Sequence, residues 1–305
     1  MSNYVIETKN LTKKYKNQIV LDSVSIKVEK GKIYGLLGKN GAGKTTTMSI
    51  ILDLTRPSDG EVRLFGVDSK GNPQVYSRIG SIIETPGFYY NLTGFENLRI
   101  LAELRGNYSE KNVKKALKIV SLDNENKKLV KHYSLGMKQR LGIAAAIMDF
   151  PELLILDEPI NGLDPVGIQD MRKLFKNLVN EYDMTIFISS HILSEIEHIA
   201  DIIGIIDKGK LVEEISMDNL HEKLSNYVDF EVSDYKLATE ILMKHGFNEN
   251  DFEIKNIDGY EFLRIFSNLD KRAEINEEFV KQGLKVYKQV LTGESLEEYF
   301  INLIE

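Results

Sequence analysis

The chain has 305 residues, 42% of them hydrophobic and 28% charged, a balance that suits a folded protein of one to three domains. Its 39 basic and 46 acidic side chains leave a net charge of −7, so no broad nucleic-acid-binding surface is expected, and the absence of cysteine excludes disulfides, thiolate metal sites and cysteine nucleophiles. No apolar run approaches the roughly 18 residues of a membrane span, and Met1–Asn10 lacks a signal-peptide core; a cytosolic protein is expected, reaching any membrane through a partner.

In chain order, the first clear element is Lys32–Leu37, a short apolar strand. It runs into Gly38-Lys39-Asn40-Gly41-Ala42-Gly43-Lys44-Thr45-Thr46, and Thr46–Leu52 then reads as the first turns of a helix. The loop matches G-x-x-x-x-G-K-[ST], the phosphate-binding pattern. Glycines let the backbone curl until its N–H groups point inward at phosphate oxygens, and the helix N-terminus adds partial positive charge. Lys44 is expected to reach the β- and γ-phosphates and the Thr45 hydroxyl to bind Mg²⁺. The alternative is a glycine-rich turn with a solvated lysine; the strand before it and the helix after it speak against that.

Three stretches follow with helical apolar spacing: Phe95–Leu104, Glu110–Ser121 and Met137–Met148. Ser134 and the N–H groups around Gly136 open the third. They either turn a positive helix end toward a phosphate or form an ordinary serine cap. Leu153–Leu156, four aliphatics in a row, predicts a strand buried on both faces of a parallel sheet. It ends in Asp157 and Glu158, where open α/β sheets bind their ligands. Asp157 can hold Mg²⁺ through water and Glu158 can polarise an attacking water. Paired acids often only solvate a strand end, but a phosphate loop 113 residues earlier favours chemistry. Ile186–Ser190 predicts another buried strand, ending at His191.

The charge is unevenly placed. Through Leu220 there are 29 basic and 28 acidic residues; from His221 onward there are 10 and 18, and all six prolines lie at or before Pro165. A large domain over 1–220 and a smaller acidic one over 221–305 are expected, packed rather than tethered. In the second, Val228, Phe230 and Val232 alternate with acids, and Leu237–Lys244 is helical, stopping at Gly246. Phe252 and Ile254 alternate, Asp258-Gly259 signals a hairpin, and Tyr260–Phe266 returns. A helix over Ala273–Lys281, a strand over Leu284–Val290 and a last helix from Ser295 complete the order β-α-β-β-α-β. That order predicts a small α+β ferredoxin-like module without a catalytic constellation, suited to dimer stabilisation or regulation.

Over residues 1–220 these motifs resemble the ATP-binding subunits of ABC transporters. The diagnostic piece is Tyr133-Ser134-Leu135-Gly136-Met137-Lys138-Gln139-Arg140-Leu141, which is similar to the family signature L-S-G-G-Q followed by K/R-Q-R. Asn161-Gly162-Leu163-Asp164 resembles the D-loop, Asp164 matching its aspartate, and His191 matches the switch histidine. Tyr15 stands where the family's adenine-stacking aromatic stands, with Val20 shortly after it. His132, His198, His221 and His245 match no motif and are expected at the surface.

The resemblance implies an α/β P-loop, RecA-like core from residue 1 to about 85 and from about 150 to 220, with a helical subdomain over about 86–149. It implies ATP and Mg²⁺ as ligands, and hydrolysis through Lys44, Glu158 and His191. It also implies a head-to-tail homodimer, each ATP lying between one chain's phosphate loop and the other's Ser134 and Gly136. Integral-membrane transporter subunits would dock along Glu84–Leu101, leaving the chain peripheral on the inner face of the cell membrane and without a nucleic-acid partner.

Two departures stand out. Leu135 replaces the signature's first glycine, and Glu84 stands where most relatives carry the Q-loop glutamine. Glutamate offers Mg²⁺ a charged oxygen and repels a γ-phosphate. With Gly87–Leu98, these departures resemble the branch containing lantibiotic-immunity and bacitracin-type exporter ATPases, implying export of a peptide antibiotic or related drug. Another reading is a soluble ABC ATPase acting on ribosomes or DNA, but such relatives carry two cassettes or long insertions, for which this chain has no room. A regulatory ATP-dependent sensor is the third.

Overall fold

The computed structural model describes residues 3–16, 18–84, 87–125, 127–224, 227–257, 260–292 and 296–304. These divide into two compact units between Met217 and Asp218.

The first unit opens with β1 (Tyr4–Tyr15), β2 (Gln18–Val24), β3 (Lys27–Glu29) and β4 (Ile33–Leu37), followed by α1 (Lys44–Ile51). Next come β5 (Asp59–Leu64), β6 (Val67–Asp68) and β7 (Ile79–Ile82). A helical stretch holds α2 (Gly94–Leu104), α3 (Glu110–Ile119) and α4 (Leu135–Ile147). The chain then returns to strands with β8 (Leu153–Leu156), α5 (Pro165–Tyr182), β9 (Thr185–Ser190), α6 (Leu193–Glu197), β10 (Ile202–Asp207) and β11 (Lys210–Ser216).

The central sheet runs β11-β10-β4-β9-β8-β7, parallel from β10 to β7. Its strands are apolar runs because both faces are covered. Tyr34, Leu36, Leu153, Ile155 and Phe187 pack with Met48, Ile50 and Ile51 of α1 and with the antiparallel sheet β2-β1-β5-β6. On the other face, Gly35 meets α6 so closely that a Cβ there would lie 2.4 Å from Ile196 Cγ2. The sequence shows β4, β8 and β9; β7, β10 and the antiparallel sheet, whose strands are mixed in polarity, were not among its predictions.

Local chemistry starts the helices. Thr93 caps α2 in a reciprocal capping box with Glu96, and Ser109, Ser134 and Asp164 cap α3, α4 and α5. Helix α4 therefore begins at Leu135, two residues ahead of the predicted start, since the Ser134 cap sets the first turn. From Leu141 to Ile147 it is buried all round.

The second unit takes in α7 (Met217–Lys223) from Asp218 onward, then β12 (Tyr227–Val232), α8 (Tyr235–Lys244), β13 (Phe252–Ile257), β14 (Tyr260–Ile265), α9 (Arg272–Lys281), β15 (Val286–Thr292) and α10 (Leu296–Ile304). The sheet order β13-β14-β12-β15, all antiparallel, is the ferredoxin-like split βαβ arrangement. Val228, Phe230, Val232, Leu263 and Ile265 form the core with α8 and α9. The last strand starts at Val286 rather than Leu284, because Leu284 is still bonded to the C-terminal turn of α9 through Phe279. The hairpin signal Asp258-Gly259 and Ser295 lie outside the described residues.

Candidate active site

Strand β4 ends at the C-terminal edge of the parallel sheet, and the chain turns there through Gly38–Thr46 into α1. Gly43 sits at a left-handed φ of 114°. Gly38 has no room for a side chain, since a Cβ would lie 2.4 Å from the carbonyl oxygen of Ile206. These two glycines hold the loop tight against β10 and leave its N–H groups for an anion. Lys44 is buried, 5% exposed. Its ammonium donates to the carbonyls of Gly38 at 2.8 Å and Lys39 at 3.3 Å, and lies 3.2 Å from Oε1 of Glu158.

The two acids after β8 are held on all sides. The Thr45 hydroxyl donates to Asp157 Oδ2 at 2.6 Å, and the Ser189 hydroxyl donates to Asp157 Oδ1 at 2.5 Å. Ser189 Oγ also accepts the Glu158 main-chain N–H at 2.9 Å. Parallel pairing of Leu156 with Ile188 puts Ser189 beside Asp157. Glu158 has a left-handed φ of 46°, a conformation that costs a non-glycine residue about 1–2 kcal/mol. With Oε1 facing Lys44, its Oε2 meets His191 Nδ1 at 3.0 Å and Asn161 Nδ2 at 3.2 Å. A carboxylate only accepts, so the proton of the histidine bond sits on Nδ1.

Thr45, Glu84, Asp157 and Glu158 line a cleft of about 430 Å³ together with Phe88 and Tyr90, and with Leu135, Lys138 and Gln139 of α4. Glu84 is exposed, at a left-handed φ of 65°. Thr45, Asp157 and Glu84 offer only oxygen, the donor set of a hard cation. Among the described residues no three His, Cys, Asp or Glu side chains cluster to cage a metal. That donor set fits Mg²⁺, which keeps several waters and binds largely through phosphate oxygens.

The structure thus gathers Lys44, Thr45, Asp157, Glu158 and His191 around one point. Val20, on β2, borders the loop: its carbonyl lies 3.2 Å from where a Gly43 Cβ would be. Tyr15 ends β1, 49% exposed, with the Lys13 ammonium 4.7 Å from its ring centroid. Ser134 and Gly136 belong to the start of α4, the serine oxygen accepting the Met137 N–H at 3.3 Å, and Asp164 starts α5 by accepting from Gly167 at 2.8 Å. His132, His198 and His245 are exposed, and the side chain of His221 lies outside the described residues. Sequence reasoning missed Ser189 and Asn161 as site residues. For Ser189 a signal existed, a hydroxyl interrupting the aliphatic run just before His191.

Tyr89 and Tyr90, 57% and 54% exposed, are presented outward by the buried Asn97, which accepts the Tyr89 N–H at 2.7 Å and donates to its carbonyl at 3.1 Å. Thr85 and Pro86 of the predicted docking segment lie outside the described residues.

A phosphate loop on a buried parallel strand, a histidine on the strand beside it and an acid pair on the next strand out, with a capped signature helix, define an ABC-type P-loop ATPase. The family model described as "ABC transporter" matches residues 21–161. Bacitracin transport ATP-binding protein BcrA of Enterococcus faecalis is 54% identical over 302 residues, covering 99% of this chain and 96% of that protein. Lantibiotic transport ATP-binding protein SrtF of Streptococcus pyogenes is 44% identical over 230 residues, 74% of this chain and 99% of that protein. A solved structure described as the ATP binding subunit of an ABC transporter superposes with a TM-score of 0.61 at 31% identity, over 72% of this chain and 92% of that one. The chain belongs to the ABC transporter ATP-binding subunits and is a nucleotide-binding ATPase. Among the described residues no helix of this chain is long and apolar enough to cross a membrane.

Proposed function

We propose that the chain hydrolyses Mg²⁺-ATP to drive export of a peptide antibiotic, bacitracin-like or lantibiotic, or a related drug through a separate membrane subunit. The observation that carries the chemistry is the convergence on Glu158 of Lys44 at 3.2 Å and His191 at 3.0 Å, one on each carboxylate oxygen. The likeness to BcrA and SrtF supports the cargo class.

In this reading residues 1–220 are the ATPase domain and 221–305 an accessory one. Tyr15 stacks on adenine beside Val20. The N–H groups of Gly38–Thr46 and the Lys44 ammonium bind the phosphates, and on ATP binding Lys44 exchanges its loop carbonyls for phosphate oxygens. Thr45 and Asp157, with Glu84 nearby, hold Mg²⁺, which supplies charge neutralisation at the phosphates when bound. Glu158 accepts the proton of the attacking water, and His191 orients that carboxylate and the γ-phosphate. Ser134 and Gly136 of a second copy close the site, with Asp164 at the same seam. Tyr89, Tyr90 and Phe95 face the membrane partner, which keeps the chain at the inner face of the membrane.

Glu158→Gln tests the chemistry. It removes the proton acceptor while keeping shape, so turnover is lost, ATP stays bound and the dimer persists in gel filtration. Wild-type turnover in that variant refutes the role. Uptake of bacitracin or a lantibiotic into inverted vesicles carrying the cognate membrane subunit tests the cargo; ATP-independent uptake refutes the coupling, and no uptake of either refutes a peptide-antibiotic cargo.

A further inference from the structure

We propose that Leu135 and Gln139 clamp the loop following Glu158 onto helix α4, and that Asn161 is the positioning residue through which this clamp sets the catalytic carboxylate. The inference rests on Glu158 being the group that activates water.

Gln139 Nε2 donates to the main-chain oxygen of Asn161 at 3.0 Å. The other amide atom, Oε1, is buried and has no partner among the described residues. Turning the amide over would set oxygen against oxygen, so this single bond fixes its orientation. The next residue, Gly162, has a left-handed φ of 76°, and a Cβ built on it would lie 3.2 Å from Leu135 Cδ2. One residue further, Leu163 Cδ2 lies 3.4 Å from where a Gly136 Cβ would be. Residues 161–163 are therefore held to the first turns of α4 by one hydrogen bond, with the Leu135 and Leu163 side chains filling the space beside Gly162 and Gly136.

The same loop holds the acid. The Asn161 main-chain N–H bonds to the Glu158 carbonyl at 3.2 Å, and its side-chain Nδ2 donates to Glu158 Oε2 at 3.2 Å. Oε2 is the oxygen that also meets His191. A shift of α4 that drags the Asn161 carbonyl takes Nδ2 with it and releases one of the two groups that orient Oε2. Hydrolytic competence is then coupled to the position of the helical segment within one chain. Leu135, the departure from the family's glycine, acquires a physical reason: its side chain fills the space beside Gly162 that a glycine would leave open.

The test measures kcat, KM, affinity for a fluorescent ATP analogue and Tm on the full chain. Asn161→Ala lowers kcat about tenfold, the loss of one hydrogen bond to a charged group, with KM and analogue affinity unchanged within about threefold. Asn161→Asp keeps the volume but faces Glu158 with an acceptor, so it is worse than Ala; a residue that only filled space would give the opposite order. Gln139→Ala and Leu135→Gly each lower kcat about three- to tenfold, and adding either to Asn161→Ala costs little more, because all act along one chain of contacts. Wild-type kcat in Asn161→Ala, an Asp variant milder than Ala, strictly additive double variants, or a loss confined to KM overturns the clamp. Glu158→Gln runs alongside. If that variant keeps its turnover, the functional reading itself has failed; if it is inactive while the Asn161 and α4 variants behave as wild type, only the clamp has.

Discussion

Ser189→Ala strikes the junction of the two acids. The hydroxyl is fully buried, donates to Asp157 at 2.5 Å and accepts from the Glu158 N–H at 2.9 Å. Loss of a hydrogen bond to a charged group is worth about 1.5–3 kcal/mol, and an N–H left without its acceptor about 1–3 kcal/mol. Asp157 keeps its Thr45 bond, so the expected loss of stability is about 2–4 kcal/mol. In a unit of this size that lowers Tm by about 5–15 °C. The Glu158 peptide, held in a left-handed conformation by that N–H bond, then relaxes, and kcat falls about 10- to 100-fold. KM changes little, because the loop N–H groups and Lys44 do not depend on Ser189. Phosphate-release kinetics and thermal melts on the full chain read both effects. Unchanged kcat and Tm, or a defect confined to KM, refutes the reasoning.

Gly38→Ala puts a methyl group 2.4 Å from the Ile206 carbonyl; the loop must move, and the Kd for ATP in a fluorescence titration rises at least about tenfold while the fold survives. In the second unit, Asp229 and Arg264 form a buried bidentate pair at 2.8 and 2.9 Å, with Tyr227 stacked on the guanidinium. Asp229→Ala strands the cation at a cost of about 3–5 kcal/mol, seen as faster hydrogen exchange in 227–232 and 260–265; Asp229→Leu with Arg264→Met restores protection. Glu214 accepts from the buried Tyr34 hydroxyl at 2.8 Å, and burial raises its carboxyl above the usual 4.5. A raised acid destabilises the fold at pH above its folded pKa, and that penalty disappears as pH falls through it. Glu214→Gln, which still accepts from Tyr34, therefore raises Tm at about pH 8, and the gain shrinks toward about pH 5; an equal gain at both pH values contradicts this.

The amino-acid order alone specifies the motifs and the elements that carry them. Apolar runs such as Leu153–Leu156 encode strands buried on both faces, glycines encode the loop at Lys44, and the alternation after Val228 encodes a β-α-β-β-α-β module whose sheet order the structure bears out. These signals are local, because periodicity and backbone freedom act over a few residues. What the tertiary structure decides is which side chains meet across strands and subdomains. Parallel register of β8 and β9 brings Ser189 to Asp157, although the two are 32 residues apart. Packing of α4 brings Gln139 and Leu135 to the loop after Glu158, and the antiparallel sheet carries Tyr15 and places Val20 beside the phosphate loop. Register and helix packing arise from the summed burial of whole elements, and no short stretch of chain carries that sum.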